Sequence, residues 1–119
     1  MLKENNIDFN PDLIISSDFN QDETINVLRT KYPAKESINF DSVVCVHDYT
    51  AFGTIYYLKE LGFKIPEDII VTGYDDCTTA QQMGLTSINQ QVYQQGLEAA
   101  RVALSVAEGK KNPRKTKVA

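Results

Sequence analysis

A chain of 119 residues is long enough for one domain or for part of a larger one. Apolar residues make up 42% of the chain, which supports a packed core and excludes a disordered polypeptide. No apolar run is long enough to span a bilayer, and the first residues lack the cationic and apolar regions of a secretory signal. We therefore expect a cytoplasmic protein without a membrane partner.

The net charge of −4 is unevenly distributed along the chain. All 16 acidic residues lie at or before Glu108, whereas five of the 12 basic residues lie in 110–119, KKNPRKTKVA. An acidic body does not attract DNA, because phosphate contacts need a cationic face. A short basic run of this kind is more typical of a solvated linker, or of a strand whose partner lies elsewhere, than of a nucleic-acid contact.

The hydrophobic pattern changes its period repeatedly, which predicts alternating strands and helices. Strands are predicted at four apolar runs: 12–16 (DLIIS), 41–46 (DSVVCV), 68–73 (DIIVTG) and, shorter, 85–89 (LTSIN). Helical spacing of apolar residues predicts three helices, at 22–32, 49–62 and 92–109. Gly62 stands where a left-handed residue would end the second helix.

This order of elements predicts an α/β fold with a doubly wound, mainly parallel sheet. Strands and helices that alternate at intervals of ~30 residues are typical of right-handed βαβ units. The strands are continuously apolar rather than alternating, as a parallel sheet covered on both faces requires. Ligands of such sheets bind beyond the carboxyl ends of the strands. Three loops are predicted at that edge, 16–21, 46–50 and 72–79.

Each of these three loops contains an aspartate and an aromatic ring, the rings being Phe19, Tyr49 and Tyr74. Aromatic faces flanked by carboxylates and amides suit a sugar, because the ring covers its apolar C–H face while polar side chains bind its hydroxyls. The alternative interpretation is that these rings cover the edge of the sheet as part of the core. Spacing alone does not decide between the two.

The carboxylates Asp48, Asp75 and Asp76, together with His47, are candidates for a Mg²⁺ or Mn²⁺ site at adjacent strand ends. Each aspartate also stands just before helical sequence, where Asp is a favoured cap. Capping or ligand hydrogen bonding is the preferred interpretation, so no metal and no cofactor is predicted.

Enzymatic activity is not indicated. His47 is the only histidine, and general base catalysis needs an orienting partner that the neighbouring Asp48 does not provide. The chain has neither a serine nucleophile motif nor a glycine-rich phosphate loop. Cys45 and Cys77 are interpreted as free, mostly buried thiols.

A combination of motifs resembles the effector-binding domain of the LacI/GalR transcriptional regulators, which has the periplasmic-binding-protein type I fold. The matching stretches are SSDF, VCVHDYTAFG, GFKIPEDIIVTGYDD and LTSINQ. The resemblance extends over about residues 5–110. It implies a domain that binds a small molecule, a sugar or a nucleobase, between two lobes, and whose closure changes the DNA affinity of a separate helix-turn-helix domain.

The resemblance also implies roles for individual residues. It places Asp75 on the ligand's hydroxyls or ring nitrogens, Phe19 stacked on the ligand, and Gln90 at the hinge in contact with it. His47 occupies the position where the family usually has Asn, and we include it among the ligand-binding residues. Tyr49 and Tyr74 are further candidates, and Asp48 and Asp76 are expected to be structural caps.

The resemblance further implies how the chain is divided. Residues 1–90 correspond to part of the carboxyl-terminal lobe, 91–109 to the helix that crosses to the other lobe, and 110–119 to a basic tail. The wide apolar stripe of that helix predicts a partner chain, an exchanged element or low stability. We expect a homodimer whose DNA contacts lie in a domain outside this chain. The alternatives are the same sensor fold in a signalling or periplasmic sugar-binding protein, or a metal-dependent enzyme.

Overall fold

The computed structural model describes residues 3–109. It contains three strands, β1 (Ser42–Val44), β2 (Ile70–Asp75) and β3 (Thr86–Asn89). Four α-helices alternate with them, α1 (Gln21–Lys31), α2 (Asp48–Glu60), α3 (Thr78–Met83) and α4 (Val92–Ala107). Single 3₁₀ turns lie at Lys3–Asn5, Pro11–Leu13 and Lys35–Ser37. The predicted alternation of strands and helices is confirmed.

The three strands form one sheet in the order β1-β2-β3. β1 and β2 are parallel, with Val43 opposite Val71 and Val44 opposite Thr72. Because the two strands are parallel and adjacent, their carboxyl ends lie at the same edge of the sheet. This pairing confirms the α/β class with a parallel sheet.

α2 is the central element of the core and is buried along most of its length. On one side, Ala51, Ile55 and Leu58 pack with Val71 of β2 and with Cys45 and Ile69, which directly adjoin β1 and β2. On the other side, Tyr57 packs with Ile25, Leu28 and Tyr32 of α1 and the turn that follows it. Burial of the large apolar side chains among these, each worth about 1.5–3 kcal/mol, fixes the helices against the sheet and thereby places the loops at its edge.

The prediction of a strand at 12–16 is wrong. Pro11–Leu13 forms a 3₁₀ turn, which Asn10 caps by accepting a hydrogen bond from Asp12 N through its side chain at 3.0 Å. Proline suits the first position of such a turn, because its missing N–H has no helical partner there. From Ile14 the backbone is extended, but residues 14–18 belong to no strand of the sheet.

The chain divides between Ile88 and Asn89 into two compact units. The first holds the sheet, α1, α2 and α3. The second holds α4, in which no residue is buried and in which Val92, Tyr93 and Leu104 are exposed. Assignment of these units to a lobe and a crossover helix remains a prediction, and the basic tail at 110–119 lies outside the described residues. Among residues 3–109 there is no helix with the length and apolar character needed to cross a membrane.

Candidate functional site

The loop that follows β1 ends in the cap of α2. His47 is the capping residue, because its Nδ1 accepts a hydrogen bond from Thr50 N at 3.2 Å. The Thr50 hydroxyl donates to the His47 carbonyl at 2.7 Å and closes the same turn. The prediction that Asp48 caps this helix is therefore wrong. Asp48 is the first residue inside the helix, and its carboxylate has other partners.

Four aromatic side chains lie side by side at this end of the sheet, and we call them the ring cluster: Phe19, His47, Tyr49 and Phe52. The ring centroids of Phe19 and His47 are 5.1 Å apart, with the planes inclined at 33°. Tyr49 meets His47 edge-on at 6.3 Å and Phe52 edge-on at 5.7 Å. Phe19 is 76% exposed, so the outer end of the cluster presents an aromatic face to solvent.

The loop that carries Phe19 is held by the start of α1. Asn20 caps α1 by accepting a hydrogen bond from Glu23 N at 2.8 Å, and its own N–H donates to the Asp18 carbonyl at 2.8 Å. The hydroxyls of Ser17 and Thr24 are 3.3 Å apart across the base of the loop. Bonds on both sides of Phe19 thus fix its backbone, while its ring stays exposed.

Asp48 connects the loops that follow β1 and β2. Its side chain is fully buried, and its carboxylate accepts hydrogen bonds from Cys77 N at 2.8 Å and from the Ser87 hydroxyl at 2.6 Å. Ser87 Oγ in turn accepts from Asp76 N at 3.0 Å. We call Asp48, Asp76, Cys77 and Ser87 the carboxylate network. Through this network, Asp48, which follows His47, is connected to Asp76 and Cys77, which follow Asp75.

Two opposing effects set the pKa of Asp48. Burial by itself raises it, because desolvation disfavours the charged form. The hydrogen bonds from Ser87, Cys77 and Tyr74 favour the charged form and together lower the pKa below its ordinary value. The carboxylate is therefore ionised in the folded protein at neutral pH.

Gly73 in β2 lies directly against this carboxylate. A Cβ atom at this position would come within 2.3 Å of Asp48 Oδ1 and 3.0 Å of Leu85 Cδ2. Only glycine leaves room for the buried carboxylate here. Neither Gly73 nor Ser87 was predicted from the sequence as a component of the candidate site. The sequence contained one indication, because a glycine such as Gly73 within an apolar strand run indicates that another group lies close to the backbone there.

The backbone is strained where β2 ends. Asp75 and Asp76 are consecutive non-glycine residues with positive φ, at 120° and 54°. Such conformations cost of the order of 1–3 kcal/mol each and persist only where surrounding contacts impose them. Here the carboxylate network holds the segment, through Asp76 N and Cys77 N. Strain of this kind is concentrated at functional sites.

The prediction that Asp76 caps the following helix is also wrong. The residue that precedes α3 is Cys77, which makes no side-chain capping bond. Asp76 supports the turn through its backbone, since its carbonyl accepts a hydrogen bond from Gln81 Nε2 at 3.1 Å. The chain enters α3 one residue later than expected, because the strained pair Asp75–Asp76 still belongs to the turn.

The remaining predicted residues lie in different parts of the chain. Tyr74, on β2, is 38% exposed. Gln90 lies in the second unit, where its carbonyl accepts a hydrogen bond from Gln95 Nε2. Cys45 and Cys77 are free thiols as predicted, and burial raises the pKa of Cys45. Within residues 3–109, no three His, Cys, Asp or Glu side chains are grouped so as to hold a metal ion.

The fold is that of an α/β domain with a parallel sheet. The family profile of the periplasmic binding protein-like domain matches residues 1–119. The chain therefore belongs to the family of periplasmic binding protein-like domains. Curated relatives are transcriptional regulators. The ribose operon repressor of Lactococcus lactis subsp. lactis (strain IL1403) is 40% identical over 108 residues, which cover 89% of this chain and 32% of the repressor. The repressor PurR of Vibrio vulnificus (strain CMCP6) is 31% identical over 116 residues, 96% of this chain and 34% of that protein.

Solved structures agree with this assignment. A regulatory protein of the LacI family from Chloroflexus aggregans has a TM-score of 0.84, covering 96% of this chain and 41% of that one; at 16% identity it shows the fold alone. The transcriptional regulator CelR in complex with cellobiose is 26% identical, with a TM-score of 0.78 over 94% of this chain and 35% of that one. These findings confirm the resemblance to LacI-type regulators. The chain spans about one third of the length of the relatives it matches.

Proposed function

We propose that this chain is part of the effector-binding domain of a LacI-type transcriptional regulator, and that the strand edge described above binds a small polar metabolite. The observation that carries the proposal is the link made by Asp48. It joins the loop of His47, which contacts Phe19, to the strained turn of Asp75. An exposed aromatic face and a constrained carboxylate turn are thus held at one edge of a parallel sheet, where ligands of such folds bind.

A sugar is the effector that this chemistry fits best. Phe19 offers a flat apolar face for the C–H side of a sugar ring, and Asp75 offers a carboxylate for its hydroxyls. Tyr49 and Tyr74, both exposed, supply further aromatic surface at the same loops. The names of two similar proteins support this class, a ribose operon repressor and a CelR–cellobiose complex.

The capping bond of His47 fixes what its ring offers to a ligand. Nδ1 accepts the Thr50 N–H, so in the neutral ring the proton is on Nε2. Nε2–H is then a hydrogen-bond donor beside the exposed face of Phe19. A ligand hydroxyl or ring oxygen can accept from it. A His in place of the Asn usual in this family therefore changes the donor pattern of the site without removing the helix cap.

In this proposal the chain performs no catalysis. Binding of the effector changes the relative position of the two lobes of the whole domain, and thereby the DNA affinity of a separate helix-turn-helix domain in a homodimer. The relatives that support this are transcriptional regulators about three times as long as this chain.

Calorimetric titration of the full-length gene product with ribose, cellobiose and related sugars tests the proposal. We expect saturable binding of one of these sugars and a change in affinity for operator DNA when it is bound. Phe19→Ala is the matched variant, because removal of this exposed ring leaves the core intact. Equal sugar affinity in the variant and the unmodified protein would refute the assigned site, and the absence of any sugar binding would refute the effector class.

A further inference from the structure

Gly53 lies in the interior of α2, where the first turn of α1 packs against it. A Cβ atom at this position would be 2.6 Å from the Gln21 carbonyl oxygen and 3.0 Å from Thr24 Cβ, both in that turn. Glycine is a poorer helix former than alanine. A buried glycine inside α2 therefore indicates that the close approach of α1 needs the missing side chain.

The two residues that contact Gly53 also hold the loop of Phe19. The Thr24 hydroxyl donates a hydrogen bond to the Asn20 carbonyl at 2.8 Å and lies 3.3 Å from the Ser17 hydroxyl. Ser17 and Asn20 stand on either side of Phe19 in the sequence, and Asn20 directly precedes the first residue of α1. Thr24 is buried, so both sides of the loop are anchored on a side chain that packs against Gly53.

The other ring of the aromatic pair is held by α2 itself. His47 caps the amino end of α2, and Gly53 lies in the same helix. The ring centroids of His47 and Phe19 are 5.1 Å apart, although the Phe19 ring is mostly exposed. The separation of the two rings is therefore determined by how closely the first turn of α1 approaches Gly53.

We propose that Gly53 is a positioning residue of the effector site, because it sets the separation of Phe19 from His47 and thus the aromatic face and the Nε2–H donor that a sugar meets together. This inference rests on the function proposed above. An added methyl group would require the Gln21 carbonyl to move from 2.6 Å to the 3.4 Å of ordinary contact, about 0.8 Å. The groups of a binding site must be held within about 0.5 Å of their productive geometry. Movement of α1 would displace Phe19, because its loop is bonded to α1 on both sides.

Calorimetric titration of a Gly53→Ala variant of the full-length gene product with ribose and with cellobiose tests the proposal. We expect the affinity for the sugar that binds to fall roughly tenfold, because the displaced ring no longer stacks on it. In a Phe19→Ala background the same substitution should have no further effect, since the ring on which it acts is absent. Gly96→Ala is the matched control. Within this chain its Cβ meets nothing within 4 Å, so the sugar affinity should be unchanged.

A second measurement needs no sugar. NMR spectra of protein labelled selectively in histidine report the ring-current shift that Phe19 exerts on the His47 imidazole protons, and the His47→Asn variant assigns the signal. We expect Gly53→Ala to move this signal toward its position in Phe19→Ala, and Gly96→Ala to leave it in place. If neither sugar binds, the proposed effector class is refuted, whereas the histidine signal still decides whether Gly53 sets the ring contact.

Thr24→Val decides the question if Gly53→Ala does not fold. Valine keeps the shape of threonine but cannot bond to the loop of Phe19, so both measurements should change in the same direction as for Gly53→Ala. A folded Gly53→Ala protein with unchanged His47 signals would overturn the proposal, as would a Thr24→Val protein in which both measurements are unchanged. A loss of sugar affinity that is equally large in the Phe19→Ala background would overturn it too, because Gly53 would then act on the site without Phe19.

Discussion

The Ser87 hydroxyl donates a 2.6 Å hydrogen bond to Oδ1 of Asp48, across 39 residues of sequence. Asp48 begins α2 next to His47, and Ser87 lies on β3, the last strand before the second unit. Ser87 also accepts from Asp76 N, so one buried carboxylate holds both candidate ligand loops and β3 together. The carboxylate network thus supports the candidate site, and its bonds from Cys77, Ser87 and Asp76 all join protein groups.

Asp48→Asn is expected to lower the free energy of unfolding at neutral pH by about 1.5–3 kcal/mol, the contribution of hydrogen bonds to a charged group. The folded pKa of Asp48 is lowered, so its stabilisation is fully present above the ordinary value of 3.8 and is lost as pH falls below it. Urea unfolding at pH 7 and near pH 3 measures this. The difference in the free energy of unfolding between wild type and the Asp48→Asn variant should be smaller at the lower pH. Glu67→Gln, which removes an exposed carboxylate, is the control. A difference in unfolding free energy between wild type and Asp48→Asn that is the same at both pH values would contradict the role of the charge.

Gly73→Ala is expected to destabilise the fold by about 1–3 kcal/mol, because the added Cβ would lie 2.3 Å from Asp48 Oδ1. Gly96→Ala is the matched control, since a Cβ there meets nothing within 4 Å and alanine is the better helix former in α4. Thermal unfolding of the two variants gives the comparison. A Gly73→Ala protein as stable as the Gly96→Ala protein would show that the sheet accommodates the methyl group and that the close approach is not required.

Local patterns were sufficient to predict β1, β2, β3, α1, α2 and α4, whereas the short helix α3 was not among the three helices predicted. The apolar stripe of α2 and the continuous runs of β1 and β2 each depend on residues close in sequence. The run 12–16 was misassigned, although Asn10-Pro11-Asp12 carried the composition of a turn. An apolar run becomes a strand only where a neighbouring strand is present, and none is described between 14–17 and β1.

The candidate site was only partly predictable. Phe19 and His47 were placed at one edge by the general rule for parallel sheets, and their ring contact agrees with it. The partners of Asp48 are 29 and 39 residues away, so no local pattern indicated them. Assigning the cap of α2 to Asp48 rather than to His47 was an error of one residue. Either side chain can accept the hydrogen bond, and helix boundaries are uncertain by that amount.

His47 has two roles that substitutions can separate. His47→Asn keeps a good capping side chain, so the thermal stability should stay nearly unchanged, while the effector affinity changes because the Nε2–H donor is replaced. His47→Ala removes the cap as well and should cost about 0.5–2 kcal/mol of stability. Sugar titration and thermal unfolding of both variants in the full-length gene product measure this. Unaltered sugar affinity in both variants would restrict His47 to its capping role.

Asp75→Asn is the most direct test of the proposed ligand contact. Asparagine has nearly the same volume and, like aspartate, tolerates positive φ, so the strained turn at φ 120° should form with little change in thermal stability. The variant loses the charge that would bind sugar hydroxyls. A charge-assisted hydrogen bond contributes about 1.5–3 kcal/mol, so effector affinity should fall roughly ten- to a hundred-fold. Calorimetric titration of the full-length gene product gives the affinity, and operator binding without effector is the control because it should be unchanged. A variant with normal operator binding and undiminished effector affinity would remove Asp75 from the site.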